Sequence, residues 1–188
     1  MANKETVALT KNQYETIINT MLEGGSGFRP NHRIATALVL EANLGLRIED
    51  ELNLHLQDLV KDGSRYRLDI IERKTGKKRT FTVPGQIYVY IENYCLKNQI
   101  SETSLIFPIK ERAVQKYLKK VADYLGYDKI GTHSFRKYYA TDIYENNGYD
   151  IVLVQKLLQH SSAATTQRYI NISEKKVEDA ISSHIHLI

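Results

Sequence analysis

The fold is decided by Arg65-Tyr66-Arg67-Leu68-Asp69-Ile70-Ile71-Glu72-Arg73-Lys74-Thr75-Gly76-Lys77-Lys78-Arg79-Thr80-Phe81-Thr82-Val83-Pro84. Up to Glu72 the pattern has a period of two: Tyr66, Leu68 and Ile70 fall on one face, Arg67, Asp69 and Ile71 on the other. After the break, Phe81 and Val83 share a face within Arg79–Val83. Thr75-Gly76 sits in a tight turn, so the segment reads as a β-hairpin whose tip is Lys74-Thr75-Gly76-Lys77. Pro84 ends it.

On both sides the spacing is helical. Thr10 is placed to N-cap a first helix with Tyr14, Ile17, Ile18 and Met21 on one face. Glu23-Gly24-Gly25-Ser26-Gly27 reads as a flexible joint. Residues 32–44 are apolar nearly all round, as in a buried helix, and a short helix should follow Arg47. Beyond the hairpin the spacing predicts helices at about 86–97, at 111–125 with Val114, Tyr117, Leu118, Val121 and Leu125 on one face, and near 134–146, 150–158 and 162–168. Ser173 is placed to cap a last amphipathic helix carrying Val177, Ala180, Ile181 and Ile185, which packs either on its own domain or on a neighbouring protomer. The expected class is α+β, mainly α, with one small antiparallel sheet.

Composition narrows the function. The chain has 188 residues, 42% hydrophobic and 26% charged, which suits one soluble globular domain with a real core. A single cysteine, Cys95, excludes an internal disulfide, and the longest apolar run, Ile34 to Leu40, is too short to span a bilayer. No signal core opens the sequence, so a cytoplasmic protein without membrane attachment is expected. The net charge of +4 is unevenly spread: residues 61–80 and 110–139 each carry a local +5, and residues 41–60 a local −4. Two basic blocks suit a polyanion, although such runs are often solvated surface.

No P-loop, GxSxG, HExxH or paired-cysteine metal site is present. His184 and His186 have no ligand partners at suitable spacing, and His32 and His55 read as surface histidines. Four pieces remain: Gly45-Leu46-Arg47 with Asp50 three residues on, the Lys74 hairpin tip, Thr132-His133-Ser134-Phe135-Arg136, and Leu157-Leu158-Gln159-His160 followed nine residues later by Tyr169. His133 and Arg136 lie one turn apart at a helix start and so face one way. Each piece alone has a bland reading, such as a helix-end ion pair, a solubilising hairpin lysine, a capping set or a core tyrosine.

Together, in this order, they resemble the catalytic domain of the tyrosine recombinase (phage integrase) family, from about residue 10 to 180. That family shows G-L-R-x-x-E/D, a lysine on a β-hairpin, H-x-x-R, and a histidine with a tyrosine nine residues later. The departures are small: Gln159 for a usual glycine, Phe135 for leucine, Lys137 for histidine and Asp50 for the more frequent glutamate. The resemblance implies a helical catalytic domain with a small three-stranded antiparallel sheet over residues 1–188, the N-terminal core-binding domain being absent. Residues 172–188 would then be a tail able to dock in trans.

The resemblance also implies the chemistry. Arg47 and Arg136 would clamp the two non-bridging phosphate oxygens, since guanidinium offers forked donors and keeps its charge. His133 would assist proton transfer from the phenol, and His160 would hydrogen-bond a phosphate oxygen. Lys74, with Lys77 as runner-up, would protonate the leaving 5′ oxygen. Tyr169 would be the nucleophile that ends joined to a 3′ phosphate. Lys77, Lys78, Arg79, Lys116, Lys119 and Lys137 are expected DNA contacts. No metal or other cofactor is needed. The expected partners are double-stranded DNA at a specific site and further copies of the chain, a tetramer on DNA and a monomer in solution. The alternatives are a non-catalytic DNA-binding accessory module on the same scaffold, a type IB topoisomerase-like enzyme, and a plain helical regulator with coincidental motifs.

Overall fold

A computed structural model describes residues 6–170. The chain divides into two compact units, Met1–Tyr139 and Ala140–Ile188.

The first unit opens with α1 (Lys11–Glu23), capped by Thr10 as expected. The Thr10 hydroxyl accepts the Gln13 amide at 3.2 Å while the Gln13 side chain accepts the Thr10 amide at 3.0 Å, which satisfies two otherwise orphaned donors. The Gly24–Gly27 segment is an ordered turn rather than a loose joint. Gly25 and Phe28 exchange backbone hydrogen bonds of 3.1 Å, and Phe28 packs edge-on against Tyr117 and Tyr124. Next comes α2 (His32–Leu44), N-capped by Asn31 and buried on nearly every side, as its apolar composition requires. It stops at Gly45, whose left-handed backbone (φ 58°) turns the chain into α3 (Ile48–Glu51).

The sheet has strand order β1-β2-β3, with β1 (Leu59–Asp62), β2 (Arg65–Ile71) and β3 (Lys78–Val83) all antiparallel. Hairpin and tip lie where the alternation placed them, with Leu68 opposite Phe81 and Ile71 opposite Lys78. Leu68 and Val83 are buried and Tyr66 and Ile70 pack on the core, whereas Ile71 is 71% exposed. Tyr66 stacks on Tyr88 of α4 (Gly85–Lys97). The first strand is too short to show a period of its own, and pairing with β2 defines it. Helix α5 (Glu111–Tyr124) buries Val114, Leu118, Val121 and Ala122. One core joins these elements and includes Phe135 from the start of α6 (Thr132–Asn146). Tyr14 of α1 packs edge-on against Phe135 and stacks on Tyr138.

The second unit holds the end of α6, then α7 (Ile151–Leu158) and α8 (Ala163–Gln167). Asp150 caps α7 by accepting the amides of Val152 and Leu153, and Ser162 caps α8. Helices α7 and α8 pack together, with Val154, Leu158 and Thr166 buried. The helix expected from Ser173 lies outside the described residues. Among the described residues, no helix is long and apolar enough to cross a membrane.

Candidate active site

In the first unit the site is built around one backbone group, the carbonyl of Gly45. Arg79 donates to it from both terminal nitrogens at 3.3 Å and reaches the Leu44 carbonyl at 3.3 Å. Arg136 donates to the same Gly45 oxygen. Glycine is required here on two counts. Its φ is +58°, and an added Cβ would stand 2.4 Å from the Tyr139 ring.

Arg47 follows at the N-cap of α3, half-buried, with Nη1 2.6 Å from Oε2 of Glu72. Glu72 is fully buried and gives its other oxygen to Arg79 at 3.3 Å. Thr75 at the hairpin tip also donates to Glu72, at 2.9 Å. Burial works to raise the Glu72 carboxyl, but the hydrogen bonds from Thr75 and Arg47 and the charges of Arg47 and Arg79 outweigh it and hold it below 4.5. The hairpin tip is tied down a second time by Asp50, whose carboxylate accepts the Arg73 amide at 2.9 Å. Burial raises Asp50, partly opposed by that bond. Lys74 is exposed on this tip.

His133 is exposed at the start of α6, whereas Arg136, one turn on, is 0% exposed. Partial desolvation of the ring lowers the His133 pKa from 6.5, and the positive charges of Arg136, Lys74, Lys137 and Arg47 push it the same way. Those four cations therefore act together on one imidazole. The fold brings Arg47, Lys74, His133 and Arg136 together from three separate stretches of sequence.

In the second unit, the ring of Tyr169 lies 4.7 Å from that of His160, tilted by 59°. Nδ1 of His160 is 3.1 Å from the Thr166 hydroxyl, and Gln155 donates to the His160 carbonyl at 3.2 Å. The Thr141 hydroxyl donates to the Tyr169 carbonyl at 3.4 Å. Gln159, at the glycine position of the resemblance, has φ 52° and ψ 38° and terminates α7 in the left-handed region. That conformation is the reason glycine suits the position.

The expected DNA-contact residues separate into groups. Lys77 and Lys78 are exposed on the hairpin, with Lys78 3.9 Å from Asp69. Lys116 is exposed on a groove of about 820 Å³ that Arg29, Tyr117 and Lys120 also line. Lys119 is paired with Asp123 at 2.7 Å, and Lys137 donates to the Thr6 carbonyl. Arg79 requires correction. It is 2% exposed, bonded to Glu72 and two carbonyls, with its guanidinium 4.9 Å above the Phe81 ring, so it braces the site from inside. The signal lies in the alternation: residues 79, 81 and 83 share the inward face, as Glu72 does with 66, 68 and 70.

Comparison with known proteins agrees with this architecture. The model of the phage integrase family matches residues 8–176. The chain is 28% identical over 163 residues to the tyrosine recombinase XerA of Pyrococcus furiosus, a match covering 81% of this chain and 55% of that protein. It is 30% identical over 151 residues to the probable integrase/recombinase YoeC of Bacillus subtilis, covering 77% and 80%. Among solved structures, the XerH site-specific recombinase bound to a palindromic difH substrate superimposes with a TM-score of 0.75 at 18% identity, covering 97% of this chain and 54% of that one. The chain belongs to the phage integrase family, the tyrosine recombinases. It spans about half the length of several of the relatives it matches, XerA among them.

Proposed function

We propose that residues 1–188 act as the catalytic domain of a site-specific DNA recombinase, of a phage or another mobile element, that cuts and rejoins double-stranded DNA through a covalent 3′-phosphotyrosine. The observation that carries this reading is the gathering of Arg47, Lys74, His133 and Arg136 in one unit and of His160 with Tyr169 in the other.

In this reading Arg47 and Arg136 hold the non-bridging oxygens of the scissile phosphate and stabilise the charge that builds up as the phenol attacks. A phenol with an ordinary pKa of about 10 needs a proton acceptor at neutral pH. His133 suits that role because its depressed pKa keeps the imidazole neutral. The Tyr169 oxygen forms the new bond to phosphorus, and the 5′ oxygen leaves with a proton from Lys74. His160 donates to a phosphate oxygen. Rejoining reverses these steps with another strand's 5′ hydroxyl, so the bond energy is conserved. Exposed Lys77, Lys78 and Lys116 hold the phosphate backbone and so position the duplex. Four copies assemble on the DNA.

The test is a trap with 5′-bridging phosphorothiolate duplexes, comparing wild type with Tyr169→Phe. The expected result is an SDS-resistant adduct on Tyr169 that the variant loses while still binding DNA. An adduct persisting in Tyr169→Phe would overturn the assignment. Binding without any adduct by the wild type would favour the accessory-module alternative. Arg47→Ala should slow adduct formation by about two to three orders of magnitude.

A further inference from the structure

The tip of the β2–β3 hairpin is not held by packing. Residues 73–77 are all exposed, and a Cβ added to Gly76 would meet nothing within 4 Å. Among the described residues, the Lys74 side chain makes no hydrogen bond or ion pair of its own. A lysine ammonium rides on a flexible four-carbon stem, so its reach depends on where the backbone of residue 74 is fixed.

Polar bonds do the fixing, one on each side of Lys74. Before it, the Arg73 amide donates to Asp50 at 2.9 Å. After it, the Thr75 hydroxyl donates to Oε2 of Glu72 at 2.9 Å and accepts the Lys77 amide at 3.3 Å. The turn is closed beneath them by the Gly76 amide on the Glu72 carbonyl at 2.8 Å and the Glu72 amide on the Lys77 carbonyl at 2.9 Å.

The Thr75 bond is distinguished by its anchor. Glu72 is 0% exposed, and its Oε2 also takes Nη1 of Arg47 at 2.6 Å, while Oε1 takes Arg79 at 3.3 Å. Three donors leave this carboxylate no freedom to follow the tip, so the tip follows it. A single oxygen atom thereby joins the residue after Lys74 to Arg47. A threonine that only closed a turn would use its hydroxyl as an acceptor, as it does toward Lys77. Donation to a buried carboxylate is additional, and it is of the stronger, charge-assisted kind.

We propose that Thr75 is a positioning residue: its hydroxyl bond to Glu72 sets the hairpin tip in register with Arg47, so that Lys74 meets the leaving oxygen of the phosphate Arg47 holds. As the bond from phosphorus to the 5′ oxygen breaks, the Lys74 ammonium gives that oxygen a proton and is left as the amine. The anchor belongs to the fold, and its effect on proton delivery rests on the recombinase reading above.

The test compares wild type, Thr75→Val and Thr75→Ser in the full chain. Valine keeps the branched shape without the hydroxyl, and serine keeps the hydroxyl. Amide exchange followed by NMR should be faster at Gly76 and Lys77 in Thr75→Val and unchanged in Thr75→Ser. Single-turnover adduct formation is then measured on two suicide duplexes of the same sequence, with oxygen or sulfur at the bridging 5′ position. A thiol is far more acidic than an alcohol, so sulfur leaves without a proton and a fault confined to the acid is silent on it. Thr75→Val should be about ten- to a hundredfold slower than wild type on the oxygen duplex at unchanged DNA affinity, and should recover most of that loss on the sulfur duplex. Thr75→Ser should match the wild type on both. A loss equal on the two duplexes, or exchange indifferent to Thr75→Val, would overturn the proposal. Faster exchange in Thr75→Val beside a wild type that binds DNA but forms no adduct would instead leave the anchor standing and remove the recombinase reading.

Discussion

Nη1 of Arg47 lies 2.6 Å from Oε2 of Glu72, a charge-assisted bond joining the N-cap of α3 to the first residue beyond β2. With Arg79 on the other oxygen, Glu72 links the helical layer to the hairpin that carries Lys74. Replacing Glu72 with alanine leaves the buried Arg79 without this carboxylate and should cost about 3–5 kcal/mol in urea unfolding. The pH dependence has a definite sign. The folded carboxyl titrates below 4.5, so its stabilisation is present above that pH and is lost as pH falls through the folded value. The gap between wild type and Glu72→Gln should therefore close on acidification.

His133 gives a dependence of the same sign in a higher pH range. Its folded pKa lies below 6.5, so the unfolded chain takes up the proton first. The stability it contributes is present above 6.5 and falls as pH drops through the depressed value. His133→Gln should flatten that part of the unfolding profile. Adduct formation by the wild type should hold down to a pH below the ordinary histidine range. A rate already falling above that range would argue against His133 as the proton acceptor.

The basic hairpin divides into surface and interior cations. Lys77→Ala with Lys78→Ala should reduce the slope of log affinity against log salt by about 0.9 for each DNA phosphate no longer neutralised, with melting temperature nearly unchanged. Arg79→Met should leave that slope alone and lower the melting temperature instead. Salt titration and thermal unfolding of the same variants check both halves.

Gln159 holds a left-handed backbone at the end of α7. Replacement by glycine removes the Cβ strain and should stabilise the chain by about 0.5–1 kcal/mol, read by chemical denaturation.

Much of the fold is legible in the sequence because it is local. The Thr10 cap, the Gly45 stop and the Lys74 tip are each specified by residues within one turn of themselves. Strand β1 is not legible by period, since four residues acquire strand character only by pairing with β2. Arg79 reads as a DNA contact because a run of cations outweighs the alternation that points it inward. Glu41 and Glu51 give no sequence signal of their burial, as acids in a helical segment ordinarily face water.

The sequence by itself determined the order of elements, the hairpin and the spacing of the charged and aromatic residues, because periodicity and capping act over a few residues. Only the tertiary structure decided which cations face solvent and which are braced inside. That outcome depends on Arg79 and Arg136 meeting the Gly45 carbonyl across 34 and 91 residues. Burial follows from what packs against a side chain, and packing partners are chosen by the whole fold.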